Sequence, residues 1–135
     1  MIVTYRGGRK FELEHRGHRV LTDQLPEHGG EDAGLTPTEL LVGALASCTA
    51  LYAAAVAARH GLSREQVSVE ADWQTASEGD RVEAIQLRLR FARAVPPPVA
   101  EAIRRAAEQC LVHRTLTQPP QISTEVVLPT GTSGG

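Results

Sequence analysis

Two cysteines and a histidine are the residues of this chain best suited to nucleophilic or redox chemistry. Cys48 and Cys110 are its only cysteines, and His113 lies three residues after Cys110. A thiolate is both a nucleophile and a metal ligand, and two thiols on separate elements can exchange with a disulfide. Two cysteines are too few for a disulfide scaffold. The pair is therefore catalytic, packed in the core, or joined as one structural bridge.

Cys48 lies near the middle of a long uncharged segment, with no charged residue between positions 40 and 58. The segment begins with a capping box, in which Thr36 caps the backbone and Glu39 can bond back to it. It ends at a histidine followed by glycine, a common helix stop. We therefore predict one helix over residues 36–60, roughly 37 Å long at about 1.5 Å per residue.

By position alone, Cys48 is typical of a core residue, because free cysteine is small, apolar and often buried. A thiol in the middle of a helix lacks the stabilisation that a helix N-terminus gives to a thiolate. The predicted helix offers no cation beside Cys48. An activating cation must come from another element, and an arginine of the N-terminal strands is the natural candidate.

Cys110 has a structural and a chemical interpretation. It continues an apolar stripe through Val99, Ile103 and Ala106 on a second predicted helix. It also lies where a short further helix over 111–117 begins, and a helix N-terminus favours a thiolate. Cys110 and His113 have metal-ligand spacing. Zinc requires three or four ligands, however, and only Cys48 and scattered histidines remain, so we predict no metal.

The other elements are predicted from alternation and turn residues. They are a three-stranded meander in residues 2–22, a glycine-rich loop at 23–35, strands at 67–75 and 82–92, a helix from residue 96, a last strand at 122–128 and a disordered tail at 130–135. We predict a single α+β domain over residues 1–135 with antiparallel sheet.

The central helix is apolar on every side, and such a helix must be covered on every side. One sheet and a short second helix cover only part of it, so we predict a homodimer with Cys48 near the interface. The alternative is that the loop at 23–35 closes over the helix. A membrane span is not favoured, because alanine, glycine, serine and threonine dominate the segment.

Charge and termini restrict the class of protein further. The 14 basic and 16 acidic residues leave a formal net charge of −2, without the basic excess of a nucleic-acid-binding protein. The N-terminus becomes polar within a few residues, unlike a signal peptide. We therefore expect a cytoplasmic protein without nucleic-acid or membrane partners.

Two motifs together resemble those of the OsmC/Ohr superfamily, and the general OsmC-like branch is the nearer match. They are P-x-E-L-L-x-x-A-L-x-S-C at residues 37–48 and C-x-V-H-R-T-L at residues 110–116. The order of the predicted elements is similar over nearly the whole chain. The resemblance implies antiparallel sheets packed around a long cysteine-bearing helix, in an intertwined homodimer with two sites at the subunit interface.

The resemblance also implies a thiol-dependent hydroperoxide reductase that needs no cofactor. Cys48 would be the peroxidatic cysteine and Cys110 the resolving one, with a small-molecule hydroperoxide as substrate and an external dithiol as reductant. The family arginine lies in the first hairpin, where Arg9 is our choice among four arginines; the other three are Arg6, Arg16 and Arg19.

Two positions depart from the pattern of the family. Thr38 stands where the peroxidase branch has its glutamate, so Glu39, one residue later, is the acidic candidate. Leu111 stands where a proline often follows the second cysteine. The alternative function is a non-enzymatic module that binds a hydrophobic small molecule, with both cysteines as core packing.

Overall fold

The computed structural model describes residues 1–131, so the last four residues of the predicted tail lie outside the described range. The fold is α+β, as predicted, with two antiparallel sheets and three α-helices. The elements in chain order are β1 (Ile2–Tyr5), β2 (Phe11–His15), β3 (His18–Thr22), α1 (Pro37–Arg59), β4 (Val67–Thr75), β5 (Val82–Phe91), α2 (Pro97–Glu108) and α3 (Leu111–Thr117).

Helix α1 begins and ends where the capping residues predict. The Thr36 hydroxyl accepts a hydrogen bond from the Glu39 backbone N–H at 3.1 Å. The reciprocal bond from the Glu39 carboxylate is not formed among residues 1–131, so only half of the predicted capping box is present. At the other end, Gly61 has a φ of +80°, a left-handed conformation that glycine adopts without strain.

The core lies between α1, α2 and the β4–β5 hairpin. Ala53 and Ala57 of α1 pack against Ile103 of α2, and all three are buried. Val67 of β4 and Phe91 of β5, paired in the hairpin register, are partly buried against this cluster. The small alanine side chains allow the helices to approach closely. The hairpin is confirmed with its apolar face on α1.

The meander β1–β2–β3 lies apart from this core. Its strands pair antiparallel in sequence order, and its first turn is closed by the Arg6 N–H to the Lys10 carbonyl at 2.9 Å. Arg9 therefore lies in that turn. Four exposed apolar side chains share one face of the meander by its pairing register, namely Val3, Tyr5, Phe11 and Val20, whereas the exposed Ile2 lies on the other face. One chain does not cover this sheet.

The predicted last strand at 122–128 is wrong for the described chain. Residues 118–131 lie in no regular element, and Ile122 is 86% exposed. An extended segment becomes a strand only when a neighbouring edge satisfies its backbone groups. Within residues 1–131, neither sheet supplies that edge to this segment.

One face of α1 is buried and the other is not. The buried stripe consists of Val42, Leu45, Thr49, Ala53 and Ala57. On the opposite face, Leu51 is 63% exposed, and Leu41 and Tyr52 are also exposed, so the loop at 23–35 does not cover this face. Helix α1 is also long and apolar enough to span a membrane, with a hydropathy of 2.0. It packs against α2, β4 and α3 within the described chain.

Candidate functional site

The two cysteines lie on different helices of the same packed unit. Cys48 is in the middle of α1 and half-buried, whereas Cys110 is fully buried, at 0% exposure, between α2 and α3. Both thiols are free. Cys48 is therefore the more accessible nucleophile, and Cys110 is the thiol that the fold encloses.

Cys110 is the N-cap residue of α3. It has an extended conformation, with φ of −64° and ψ of 149°, and its Sγ accepts a hydrogen bond from the His113 backbone N–H at 3.3 Å. The sulfur thus takes the place of the oxygen that usually caps a helix. The predicted start of a helix at residue 111 is confirmed, and the apolar stripe of α2 ends before Cys110.

The Cys110 sulfur also contacts α1 beside Cys48. Its Sγ lies 3.8 Å from Oγ1 of Thr49, a buried residue at 2% exposure. Thr49 directly follows Cys48, so the residue of α1 that the Cys110 sulfur contacts is the immediate neighbour of the other cysteine. Successive helical side chains point about 100° apart. The Cys110 sulfur must therefore turn away from Thr49 to reach Cys48.

Arg9 lies beside the first residue of α1. It lines a cavity of about 460 Å³ together with His28 and Pro37. Because a helix rises about 1.5 Å per residue, Cys48 is about 16 Å further along α1 than Pro37. No hydrogen bond joins Arg9 to Cys48 within residues 1–131, so one chain does not bring this predicted pair together.

Glu39, like Arg9, lies near the start of α1 and away from Cys48. It is half-buried in the first turn of α1, and its carboxylate makes no hydrogen bond or ion pair in the described part of the chain. It lies nine residues before Cys48 on a continuous helix, about 13 Å along the axis. Within one chain, Arg9 and Glu39 both lie near the start of α1 and away from the thiols.

The loop at 23–35 positions the surroundings of Arg9. The buried Asp23 carboxylate accepts hydrogen bonds from the backbone N–H groups of Gln24, Glu31 and Ala33, at 2.8, 3.0 and 3.1 Å. Burial alone would raise the pKa of Asp23, but these bonds outweigh it and the pKa is lowered. Arg9 lies against this loop, with its Nε 3.3 Å from where a side chain on Gly29 would begin.

Arg114 is a cation that sequence reasoning missed. It lines a cavity of about 340 Å³ with Tyr52, Gln109 and Leu111. Tyr52 follows Cys48 by four residues and so shares its face of α1. Within residues 1–131, the Arg114 guanidinium makes no ion pair. The available signal was its place in the second motif, four residues after Cys110.

An apolar groove runs beside the thiols between α1, β5 and α3. It consists of two adjoining cavities of about 360 and 220 Å³, and both are lined by Leu45, Ile85 and His113. The first cavity extends to Leu41 and the second to Thr49. We call it the α1–β5 groove. Leu41, Leu45 and Cys48 follow one helical stripe, so the groove approaches Cys48 along α1.

No group of three His, Cys, Asp or Glu side chains within residues 1–131 is arranged to hold a metal ion. Cys110 and His113 have the sequence spacing of a metal-ligand pair, but here the His113 backbone N–H donates a hydrogen bond to the Cys110 sulfur as a helix cap.

Comparison with known proteins decides the family. The family model of OsmC-like proteins matches residues 29–125, from the loop before α1 to the segment after α3. The chain belongs to this family. No curated protein matches the chain.

Solved structures share the fold of this OsmC-like chain. One, from Psychrobacter arcticus 273-4, is described as a candidate osmotic stress induced and detoxification response protein. It has a TM-score of 0.78 and 22% identity, and the match covers 84% of this chain and 85% of that one. Another, from Legionella pneumophila, has a TM-score of 0.61 and 21% identity, covering 85% and 87%.

The Legionella protein is described as an organic hydroperoxide resistance protein OsmC, a predicted redox protein and a regulator of sulfide bond formation. At these identities the two structures establish the fold of the OsmC-like chain. The chemistry of its own site rests on the residues described above.

Proposed function

We propose that this OsmC-like protein is a thiol-dependent reductase of organic hydroperoxides, with Cys48 as the peroxidatic and Cys110 as the resolving cysteine. The observation that carries the proposal is the contact between the Cys110 sulfur and Thr49, the residue next to Cys48. It supports the proposal because the enclosed thiol contacts the immediate neighbour of the more accessible one, in a member of this family. The Legionella protein of the same fold is described as an organic hydroperoxide resistance protein, and this description supports the proposed chemistry.

The proposed cycle has three balanced steps. The Cys48 thiolate attacks one peroxide oxygen; the O–O bond breaks, an alcohol leaves with a proton, and Cys48 becomes a sulfenic acid. The Cys110 thiolate then attacks the Cys48 sulfur and forms a disulfide, while the hydroxyl group leaves with a proton as water. An external dithiol reduces this disulfide by exchange and is itself oxidised. Such a cycle suits a reducing compartment such as the cytoplasm.

The α1–β5 groove supports an organic rather than an inorganic peroxide. Its walls include six leucine and isoleucine side chains, together with the charged side chains of Glu83, Arg104 and Glu108, and it approaches Cys48 along α1. Burial of an alkyl group contributes about 25 cal/mol per Å² of apolar area removed from water. A hydroperoxide with an apolar group therefore gains binding energy here that hydrogen peroxide does not.

A homodimer completes this proposal. Apolar side chains are exposed in one chain on three surfaces: the outer face of α1, one face of the meander and the segment at 122–128. A second copy is the simplest cover for all three surfaces. Glu39 lies about 13 Å along α1 from Cys48 in the same chain, and Pro37, which shares a cavity with Arg9, lies about 16 Å from it. They would reach a Cys48 only across such an interface.

Peroxide titration of single-cysteine variants tests the function. We expect reduced wild-type protein to lose both thiols to one equivalent of cumene hydroperoxide. We expect Cys48→Ser to lose none, and Cys110→Ser to lose one and to accumulate a dimedone-reactive sulfenic acid. Ser47→Ala is the matched control, because it alters the neighbouring residue on α1 without touching a thiol. Retention of both wild-type thiols, or equal peroxide consumption by Cys48→Ser, contradicts the proposal.

The second candidate function is non-enzymatic binding of a hydrophobic small molecule. The apolar lining of the α1–β5 groove favours it. Native mass spectrometry of the purified protein separates the two functions. A co-purifying apolar ligand, together with thiols that do not react with cumene hydroperoxide, supports binding alone.

A further inference from the structure

The hydroxyl group of Thr49 has an unusual partner. Threonine in a helix commonly bonds its hydroxyl to a backbone carbonyl one turn earlier. Thr115 and Thr117 of α3 do so, to the carbonyls of Leu111 and His113 at 2.8 and 3.0 Å. The Thr49 hydroxyl, although buried in α1, makes no such bond within residues 1–131 and instead faces the Cys110 sulfur at 3.8 Å.

We propose that Thr49 is a positioning residue that holds the Cys110 sulfur for its attack on oxidised Cys48. This inference rests on the proposed function, since it concerns the resolving step of the same cycle. It assigns to Thr49 a task distinct from packing: its hydroxyl orients and stabilises the nucleophile of the second step.

The physical reason is the enclosure of Cys110. A thiolate at 0% exposure is costly unless hydrogen-bond donors surround it. The thiolate only accepts, so the Thr49 O–H and the His113 backbone N–H are its two donors in the described chain. When Cys110 is a neutral thiol, its S–H can instead donate to the Thr49 oxygen. One hydroxyl therefore serves both protonation states.

The same contact sets the starting geometry of the resolving step. The sulfur is held against Thr49 on the buried stripe, next to Cys48 in sequence, and from there it turns around α1 to reach the Cys48 sulfur. In the step, the Cys110 thiolate attacks the Cys48 sulfenic sulfur, the S–O bond breaks, and hydroxide leaves with a proton as water. The hydroperoxide that oxidised Cys48 supplies the oxidising equivalent. Without the Thr49 hydroxyl, the attacking thiolate has one hydrogen-bond donor fewer, and its sulfur is no longer held against α1.

Thr49→Val and Thr49→Ser test this role. Valine keeps the shape and removes the hydroxyl, and serine keeps the hydroxyl. We expect Thr49→Val to form the Cys48–Cys110 disulfide about tenfold more slowly after one equivalent of cumene hydroperoxide, because a hydrogen bond to a charged group is lost. Formation of the Cys48 sulfenic acid, trapped with dimedone, should proceed at the wild-type rate. Thr49→Ser should restore disulfide formation.

The controls separate the role of Thr49 from folding and from the proposed function itself. Thermal unfolding of each variant checks that it folds. Ser47→Ala removes a hydroxyl two residues before Thr49 that donates to the Ala44 carbonyl instead of facing Cys110. If wild-type protein forms neither sulfenic acid nor disulfide, the proposed function fails. If wild-type protein forms the disulfide and folded Thr49→Val forms it equally fast, or slows both steps alike, the role assigned to Thr49 is overturned.

Discussion

At the residue scale, the surroundings of each thiol separate two side chains of the same type. Cys48 is half-buried on a helix without nearby charges of its own, whereas Cys110 caps α3 and accepts two hydrogen bonds if the Thr49 O–H donates. The chemistry that we propose assigns attack on the peroxide to the accessible thiol and resolution to the enclosed one. Access and hydrogen bonding, rather than sequence position, support this division of roles.

The charge on Arg114 leads to a prediction about Cys48. Arg114 shares a cavity with Tyr52, which lies one helical turn after Cys48. We expect Arg114→Gln to slow oxidation of Cys48 by cumene hydroperoxide about fivefold, because a cation on this side of α1 stabilises the negative charge that develops on the leaving alkoxide. Single-turnover thiol loss in a Cys110→Ser background measures this rate. Arg93→Gln, which removes the same charge from the exposed turn before α2, is the control. An equal effect of both substitutions would assign the change to net charge alone.

At the element scale, a buried carboxylate fixes the loop at 23–35. Asp23 is 1% exposed and ties three backbone N–H groups of the loop to its two oxygens. Lys10 of the first turn adds an ion pair to Glu31 at the surface of the loop. The loop therefore holds one defined conformation beside Arg9, although it contains little regular structure.

This arrangement predicts a dependence of the loop on acid. The pKa of Asp23 is lower in the folded protein than in the unfolded chain, so its contribution to stability is present above the ordinary aspartate pKa of about 4. It is lost as the pH falls through the folded pKa. We expect the protection factors of the Glu31 and Ala33 amides against hydrogen exchange to fall below about pH 4, and to be lower at neutral pH in Asp23→Asn than in wild-type protein.

Glu27→Gln, which removes a carboxylate from the exposed part of the same loop, is the control for that measurement. If its Glu31 and Ala33 amides exchange as fast as those of Asp23→Asn at neutral pH, the Asp23 carboxylate does not anchor the loop.

At the scale of the whole molecule, one chain exposes large apolar side chains on several elements. Leu51 on α1, Val3 in the meander and Val126 near the C-terminus are all exposed. Contiguous apolar patches of this kind usually mark interaction surfaces. The proposed homodimer brings these surfaces together, and it would also bring Arg9 and Glu39 of one copy towards Cys48 of the other.

A charge at Leu51 tests the dimer. We expect wild-type protein to sediment as a dimer and Leu51→Glu to shift it towards monomer, because a buried unpaired carboxylate in an interface is costly. Gln74→Glu adds the same charge to the exposed end of β4 and should remain dimeric. A monomeric wild-type protein at micromolar concentration would contradict the prediction.

The sequence by itself determined most of the elements, because their signals are local. The Thr36 cap and Gly61 bound α1, the alternation of β4 and β5 defines the hairpin, and Cys110 begins α3. The family was also accessible, since two motifs around the cysteines specify it. These features depend on neighbours within a few residues, which a sequence displays directly.

Only the tertiary structure decided which residues meet. It brought the Cys110 sulfur into contact with Thr49 and put Arg114 and Tyr52 in the wall of one cavity. It also showed that Arg9 lies beside the start of α1, away from Cys48. It also left residues 122–128 without a strand partner in one chain. Such contacts join positions far apart in the chain, as between Thr49 and Cys110, which are 61 residues apart. Because packing of whole elements sets them, no local pattern predicts them.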